Sequence, residues 1–296
     1  LYGLGSARLG GIHLGQFVFV RFAKAVVSCH VPSPANPVKR PVVTLLSAGL
    51  VQASQPSDVH LRILATTALH ACLMAHDYVT DQPTQRQGLA NTAHLIAAAR
   101  AEVPNCLLLD NGDFLQGTAL GDYVAQARNR RGLHPVIAAF NALGYDAGTL
   151  GNHEFNYGLD FLKRALDGAR HPVVSANITC KQGASPDEDA TFVPPYVILI
   201  RSVTDAAGKP HVLRVGVIGF TPPQTMQWDR QHLDGVLQAR DIVEAANTWV
   251  PMMRKAGADI VVALSHSGIG PLQATPGMEN ASTALAGVPG IDALIA

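Results

Sequence analysis

The stretch LRILATTALH, residues 61–70, reads as a buried strand that runs into a polar loop. Residues 63–67 form a short apolar and β-branched run, and such a run is typical of a strand covered on both faces. His70 follows the carboxyl end of this strand. In open α/β sheets, ligands bind outside the carboxyl ends of the strands. We therefore predict a strand over residues 63–67 and treat His70 as a candidate metal ligand.

The rest of the chain alternates between apolar strands and amphipathic helices. Further strands are predicted within residues 105–113, 145–155, 172–178, 195–200, 213–220 and 258–268, and helices within 88–103, 134–144, 158–169 and 239–257. The first helix is expected to bury Leu89, Ala93, Ile96 and Ala97, and residues 180–195 are expected to form a surface loop. This alternation predicts an α/β fold with a largely parallel central sheet.

Composition narrows the function classes. Hydrophobic residues make up 48% and charged residues 15% of the 296 positions, which fits a compact globular protein and excludes a disordered one. The formal net charge is zero, so no broad basic face for a nucleic acid polymer is expected. The four cysteines are scattered without a C-x-x-C pair, so histidines and carboxylates remain as metal ligands.

The region before residue 58 carries a targeting pattern. Residues 38–53 have the three parts of a secretory signal: basic Lys39 and Arg40, an apolar stretch, and a small-residue cleavage site ending at Ala53. We expect residues 38–53 to be a signal peptide, residues 1–37 to be a non-native upstream extension, and residues 58–296 to be the functional domain. An ordinary buried segment is the alternative for residues 38–53. We expect no integral membrane segment, because no later stretch is long and apolar enough.

Four of the predicted strands end in loops that carry metal-ligand chemistry. These loops hold His70; Asp110 and Asp113; Asn152 and His153; and His266. Each residue alone has a structural explanation, such as a turn or a helix cap. All four loops at one edge of a sheet favour a metal site with oxygen and imidazole ligands. A carboxylate bridging two ions, with a nearby histidine as proton donor, is typical of phosphoester hydrolysis.

The residues around these strand ends resemble the calcineurin-like metallophosphoesterases. The matching blocks are GDFLQG at 112–117, GNHE at 151–154 and LSHSG at 264–268. The strings at 149–166 and 222–235 narrow the resemblance to the bacterial periplasmic 2',3'-cyclic-nucleotide 2'-phosphodiesterase/3'-nucleotidase family. The resemblance covers residues 58–296. It implies an α/β sandwich whose central, mostly parallel sheets are flanked by helices, and a periplasmic location.

The resemblance also implies roles for single residues. His70 would bind a first divalent metal ion, Asp113 would bridge two ions, Asn152 and His266 would bind the second, and His153 would be catalytic. Two ions are expected, from among Mn, Co, Zn and Fe. The implied reaction is hydrolysis of 2',3'-cyclic nucleotides and 3'-nucleotides by in-line attack of a metal-bound hydroxide.

Two departures from the family pattern predict an impaired site. The family motif D-x-H has Ala68 in place of its first acid, so one direct ligand is missing. The sequence also stops before the family's G-H-x-H motif and before its C-terminal nucleotide-binding domain, so we expect an incomplete, truncated catalytic domain. Such a chain should bind one metal ion well at most and should hydrolyse phosphoesters poorly.

Three other interpretations remain open from the sequence. One is a 5'-nucleotidase, although that branch usually has an aspartate where Asn156 stands. Another is a non-catalytic descendant that still binds a nucleotide or one metal ion, which Ala68 favours. The third is a fragmentary reading frame without a folded product.

Overall fold

The computed structural model describes residues 23–31, 57–127 and 132–296. The predicted signal peptide, residues 38–53, lies outside the described residues. Of the predicted extension, residues 23–31 are described, and they form an edge strand.

The described strands and helices alternate along the chain. The strands are β1 (Ala23–Val31), β2 (Ser57–Thr66), β3 (His76–Asp77), β4 (Gln82–Pro83), β5 (Cys106–Asp110), β6 (Ala147–Thr149), β7 (Val173–Val174), β8 (Ile178–Lys181), β9 (Ala190–Thr191), β10 (Tyr196–Thr204), β11 (Pro210–Phe220), β12 (Gln238–Ala239), β13 (Ile260–Ser265) and β14 (Ala293–Ile295). The helices are α1 (Leu89–Ala101), α2 (Ala119–Gln126), α3 (Pro135–Leu143), α4 (Leu159–Leu166), α5 (Thr225–Trp228), α6 (Arg230–Leu233), α7 (Ile242–Lys255) and α8 (Ser282–Ala286). Short 3₁₀ turns span His153–Phe155 and Pro186–Glu188.

Two mixed sheets form the centre of the molecule. The first has the strand order β1-β2-β5-β6-β7, with β1 antiparallel to β2 and the other neighbours parallel. The second has the order β10-β11-β13-β14, with β10 antiparallel to β11 and the other neighbours parallel. Both sheets are therefore mostly parallel, which confirms the predicted fold class.

Three hydrophobic clusters arrange the sheets and helices in four layers. Alternate residues of β2 point to opposite faces, so Ile63 packs between the two sheets while Leu64 packs against α1, α3 and α4. On the second sheet, Val217 faces the first sheet and Ile218 packs against α7 and α8. The chain thus forms a helix–sheet–sheet–helix sandwich.

Most predicted elements are present, but two details differ. Helix α1 buries Leu89, Thr92, Ile96 and Ala99, whereas Ala97 is exposed, because small alanines on several faces leave the buried side undetermined. Residues 180–195 lie mostly at the surface, but they contain the end of β8, a 3₁₀ turn and β9 instead of loop alone. The Asp189 side chain is shielded from solvent there and accepts hydrogen bonds from the Arg240 guanidinium at 2.7 and 2.8 Å.

The loops after β2, β5, β6 and β13 lie at the carboxyl edges of the two sheets, where the predicted site residues lie. Among the described residues, no helix has the length and apolar character needed to cross a membrane.

Candidate metal centre and active site

The strand-end loops bring the predicted site residues together. Ligand atoms of His70, Asp113 and His153 all lie within 4.8 Å of one another. The Nε2 atom of His266 lies 2.9 Å from Oδ2 of Asp113. His70, Asp113 and His153 come from loops of the first sheet and His266 comes from the second, so the site lies where the two sheets meet.

His70 is held in a loop with left-handed backbone. His70 has a φ of 48° and Asp113 a φ of 61°, and the His70 N–H donates to the Asp113 carbonyl at 2.8 Å. The Nδ1 atom of His70 donates to the Gln116 carbonyl at 2.7 Å, which leaves Nε2 free for a ligand. Gly117 is required beside this ring, because a Cβ there would lie 2.7 Å from the Cβ of His70.

His266 repeats this arrangement from the second sheet. Its Nδ1 atom donates to the Asn111 carbonyl at 2.6 Å, and its Nε2 atom faces Asp113. Burial alone would lower the pKa of His266, but the hydrogen bond and the charge of Asp113 outweigh burial and raise it to about 9. Histidines that bind metals commonly donate their other ring nitrogen to a carbonyl in this way.

Asp113 lies at the centre of the cluster. Its Oδ1 accepts the backbone N–H of His153 at 2.8 Å, and its Oδ2 faces His266. Burial favours the neutral acid, yet the hydrogen bonds and charges of His266 and His153 lower the pKa of Asp113. Gly151 permits this close approach, because a Cβ at that position would lie 2.2 Å from Oδ1 of Asp113.

Glu154 fixes the two loops that carry Asp113 and His153. Its carboxylate is fully buried and accepts the backbone N–H groups of residues 113, 114, 115 and 151 at 2.7–3.1 Å. Burial and the neighbouring Asp113 raise the pKa of Glu154, and the donated N–H groups oppose that rise. The local motif GNHE gave no indication of this role.

Asn152 precedes His153 in the 3₁₀ turn. Its side chain makes no capping hydrogen bond to that turn, which removes the helix-cap explanation for this residue. Asn152 lies between Gly151 and His153, whose backbones both approach the Asp113 carboxylate, and its amide group remains available as an oxygen ligand.

His153 is connected to a carboxylate through an amide. Its Nδ1 atom lies 2.6 Å from Oδ1 of Asn156, and Nδ2 of Asn156 lies 2.9 and 3.0 Å from the two carboxylate oxygens of Asp229. No motif or spacing in the sequence points to Asp229. It is 73 residues from Asn156, so no local spacing indicated the contact.

Ala68 lies in the same loop as His70. Its backbone N–H donates to the Gly112 carbonyl at 2.9 Å, and its φ is 52°. Aspartate and asparagine adopt this left-handed conformation more readily than alanine does. The loop geometry at position 68 therefore suits an aspartate, although the side chain present is a methyl group.

Asp110, which the sequence placed in the same loop group, has a structural role. It is fully buried and accepts hydrogen bonds from the Thr66 hydroxyl at 2.5 Å and from the Gly112 N–H at 2.9 Å. Burial raises the pKa of Asp110 to about 8. This residue holds the turn that leads to Asp113.

Comparison with known proteins gives sequence relatives that are phosphoesterases. No protein-family model matches the chain. Over 262 residues the chain is 46% identical to a 2',3'-cyclic-nucleotide 2'-phosphodiesterase/3'-nucleotidase of Yersinia enterocolitica. The aligned region covers 87% of this chain and 39% of that protein. The chain spans about two-fifths of the length of this relative and of its counterparts from Haemophilus influenzae and Salmonella typhimurium.

Solved structures agree with the fold. A 5'-nucleotidase precursor from Thermus thermophilus matches at a TM-score of 0.53 and 29% identity, covering 71% of this chain and 38% of that one. The calcineurin-like phosphoesterase YfkN from Bacillus subtilis matches at a TM-score of 0.75 and 47% identity, covering 80% of this chain and 71% of that chain. With this identity and coverage, and with a His/Asp cluster at the junction of two mostly parallel sheets, the chain belongs to the calcineurin-like phosphoesterase family.

Proposed function

We propose that this chain carries the catalytic domain of a metal-dependent enzyme that hydrolyses 2',3'-cyclic nucleotides and 3'-nucleotides. The observation that carries this proposal is the convergence of His70, Asp113, His153 and His266 in one cluster. The 46% identity to relatives named for this activity supports the substrate class. Asn156 beside His153 supports the same branch over 5'-nucleotidases, which usually have an aspartate there.

The donor set fits divalent metal ions. We propose that His70, Asp113, Asn152 and His266 hold them. Both histidines commit Nδ1 to a backbone carbonyl, Nε2 of His266 faces Asp113, and a ring nitrogen of His70 lies within 4.8 Å of an Asp113 carboxylate oxygen. Imidazole and carboxylate ligands without thiolate suit Mn, Co, Zn or Fe. Such ions, when bound, polarise the phosphate and lower the pKa of water.

The chain's own residues supply the proton chemistry. His153 keeps Nδ1 against Asn156, so its Nε2 is the atom that can hold the phosphate or protonate the leaving oxygen. Asp113 holds the loop of His153 by accepting its backbone N–H, and this keeps the proton donor His153 beside the proposed metal ligands. We propose that Ala68 limits this site, because a methyl group supplies no ligand atom.

The direct test is hydrolysis of 2',3'-cyclic AMP, 3'-AMP and 5'-AMP with Mn²⁺, Co²⁺ or Zn²⁺. We expect slow, metal-dependent turnover of the first two by the wild-type chain, faster turnover by Ala68→Asp, and loss of turnover when His153→Gln is added to Ala68→Asp. Hydrolysis of 5'-AMP alone would favour a 5'-nucleotidase. No metal-dependent hydrolysis by Ala68→Asp would refute the proposal.

We also propose that the protein is periplasmic, exported through residues 38–53. N-terminal sequencing of the mature protein tests this. A mature chain that begins well before Gln52 would contradict it.

A further inference from the structure

The carboxylate of Asp229 faces the amide of Asn156 and no other described donor. Both oxygens of Asp229 lie within 3.0 Å of Nδ2 of Asn156, and Asp229 is 4% exposed. Among the described residues, no other hydrogen bond and no ion pair reaches this carboxylate. Asp229 occupies the N-cap position of α6, but its side chain makes no capping hydrogen bond. Helix capping therefore does not explain this buried acid.

A carboxylate at this place determines how the amide is oriented. An ionised carboxylate only accepts hydrogen bonds, whereas an amide has a donating and an accepting end. Asn156 must therefore turn Nδ2 toward Asp229, because the reverse orientation would bring two acceptors together. Its Oδ1 is then turned toward His153, where it lies 2.6 Å from Nδ1.

The orientation of the amide in turn determines the tautomer of His153. A ring nitrogen that faces a carbonyl oxygen at hydrogen-bond distance must carry the hydrogen. The neutral ring then has its hydrogen on Nδ1 and its lone pair on Nε2, which leaves Nε2 as the exchangeable position. A carboxylate that orients a catalytic imidazole through a hydrogen bond is an established arrangement in hydrolases.

We propose that Asp229 is a positioning residue that fixes the Nδ1–H tautomer of His153 through Asn156. The amide carries the orienting effect of the carboxylate one residue further than a direct Asp–His pair would. The functional meaning of this relay rests on the proposed catalytic role of His153.

The test is the position of the ring hydrogen of His153, read by nitrogen-15 NMR of the full chain labelled on histidine, without added metal. His153→Gln identifies the resonance. In the wild-type chain we expect the hydrogen on Nδ1 when the ring is neutral. In Asp229→Asn the new amide can donate or accept, so Asn156 can turn over and the Nε2–H tautomer becomes populated.

An exchange variant serves as the matched control. Asn156→Asp combined with Asp229→Asn places an acceptor beside Nδ1 again, with a donor amide behind it, and we expect the wild-type tautomer to return. Asn156→Asp alone brings two carboxylates together, so we expect a lower melting temperature than for the exchange variant.

Two results would overturn the relay. One is the Nε2–H tautomer of His153 in the wild-type chain. The other is an unchanged Nδ1–H tautomer in Asp229→Asn, which is expected if Asp229 has only a structural role. If Asp229→Asn does not fold, the exchange variant still tests whether the group at position 156 sets the tautomer. Its Nε2–H form contradicts the premise that an acceptor at position 156 fixes the ring. Asp229→Ser, whose hydroxyl can donate or accept, then decides the relay: a populated Nε2–H form supports it and an unchanged Nδ1–H form contradicts it. Because this readout needs neither substrate nor turnover, its failure is distinguishable from failure of the phosphoesterase proposal.

Discussion

At the scale of single residues, the surroundings decide which histidines are charged. His266 faces the Asp113 carboxylate, and its pKa is raised to about 9. His171 is also largely shielded from solvent, at 6% exposed, but it packs against Phe140 and Tyr145, and no described group hydrogen-bonds to either of its ring nitrogens. Burial lowers the pKa of His171 to about 4, although the Asp146 carboxylate opposes this shift.

His171 should make the fold sensitive to acid. An unfolded histidine binds a proton near its ordinary pKa of 6.5, whereas folded His171 stays neutral down to about 4. The unfolded state therefore binds more protons in this interval, and the free energy of unfolding falls as the pH drops from 6.5 toward 4. Between pH 7.5 and pH 5, His171 should lower the free energy of unfolding of the wild-type chain by about 2 kcal/mol, and we expect His171→Phe to remove this decrease.

Urea denaturation at both pH values measures this effect. His94→Phe, at an exposed position of α1, is the control and should leave the acid sensitivity unchanged. Equal acid sensitivity in His171→Phe and the wild-type chain would show that His171 is not the group responsible.

At the scale of elements, Glu154 stabilises two loops from inside. We expect Glu154→Gln to lower the free energy of unfolding by about 3 kcal/mol, because an amide donor would then face backbone N–H groups that have lost their acceptor. Urea denaturation gives the value. The exposed Glu279→Gln should change it by less than about 0.5 kcal/mol, and a similarly small change in Glu154→Gln would refute the assigned role.

A substitution at Gly117 tests the packing of the loop that holds His70. Gly117→Ala should displace the His70 ring and lower Mn²⁺ affinity by about tenfold or more, as is usual when support for a ligand is lost. Gly208→Ala is the matched control, because Gly208 also has positive φ, at 81°, but no atom lies within 4 Å of its added Cβ. We expect that control to cost about 1 kcal/mol of stability without changing Mn²⁺ affinity.

The sequence predicted elements better than it predicted contacts. Short apolar runs such as residues 260–265 were recognisable as strands, and His70, Asp113 and His153 were recognisable because ligand-type side chains follow strand ends. The contact of Asp229 with Asn156 spans 73 residues and that of Arg240 with Asp189 spans 51, so neither leaves a local pattern.

At the scale of the whole molecule, the site depends on how the two sheets pack. His266 follows β13 of the second sheet, yet its ring donates to Asn111 after β5 of the first. The Asn111 side chain donates back to the Ser265 carbonyl at 3.1 Å. The core between the sheets, which includes Leu109 and Leu264, therefore keeps His266 beside Asp113. A parallel-sheet pattern alone predicts neither the second sheet nor this junction. The resemblance to the family implied a sandwich of sheets, but the expectation that all four loops lie at one edge of one sheet was wrong, because β13, which precedes His266, belongs to the second sheet.

The central claim is that this junction is a metal site weakened by Ala68. Calorimetric titration of Mn²⁺ into the wild-type chain, Ala68→Asp and Ala68→Asn tests it most directly. The asparagine variant has the shape and the left-handed tolerance of aspartate without its charge. We expect Ala68→Asp to bind Mn²⁺ at least about tenfold more tightly than the wild-type chain, and Ala68→Asn to gain much less. Equal affinity in the wild-type chain and Ala68→Asp would contradict a metal site at this position.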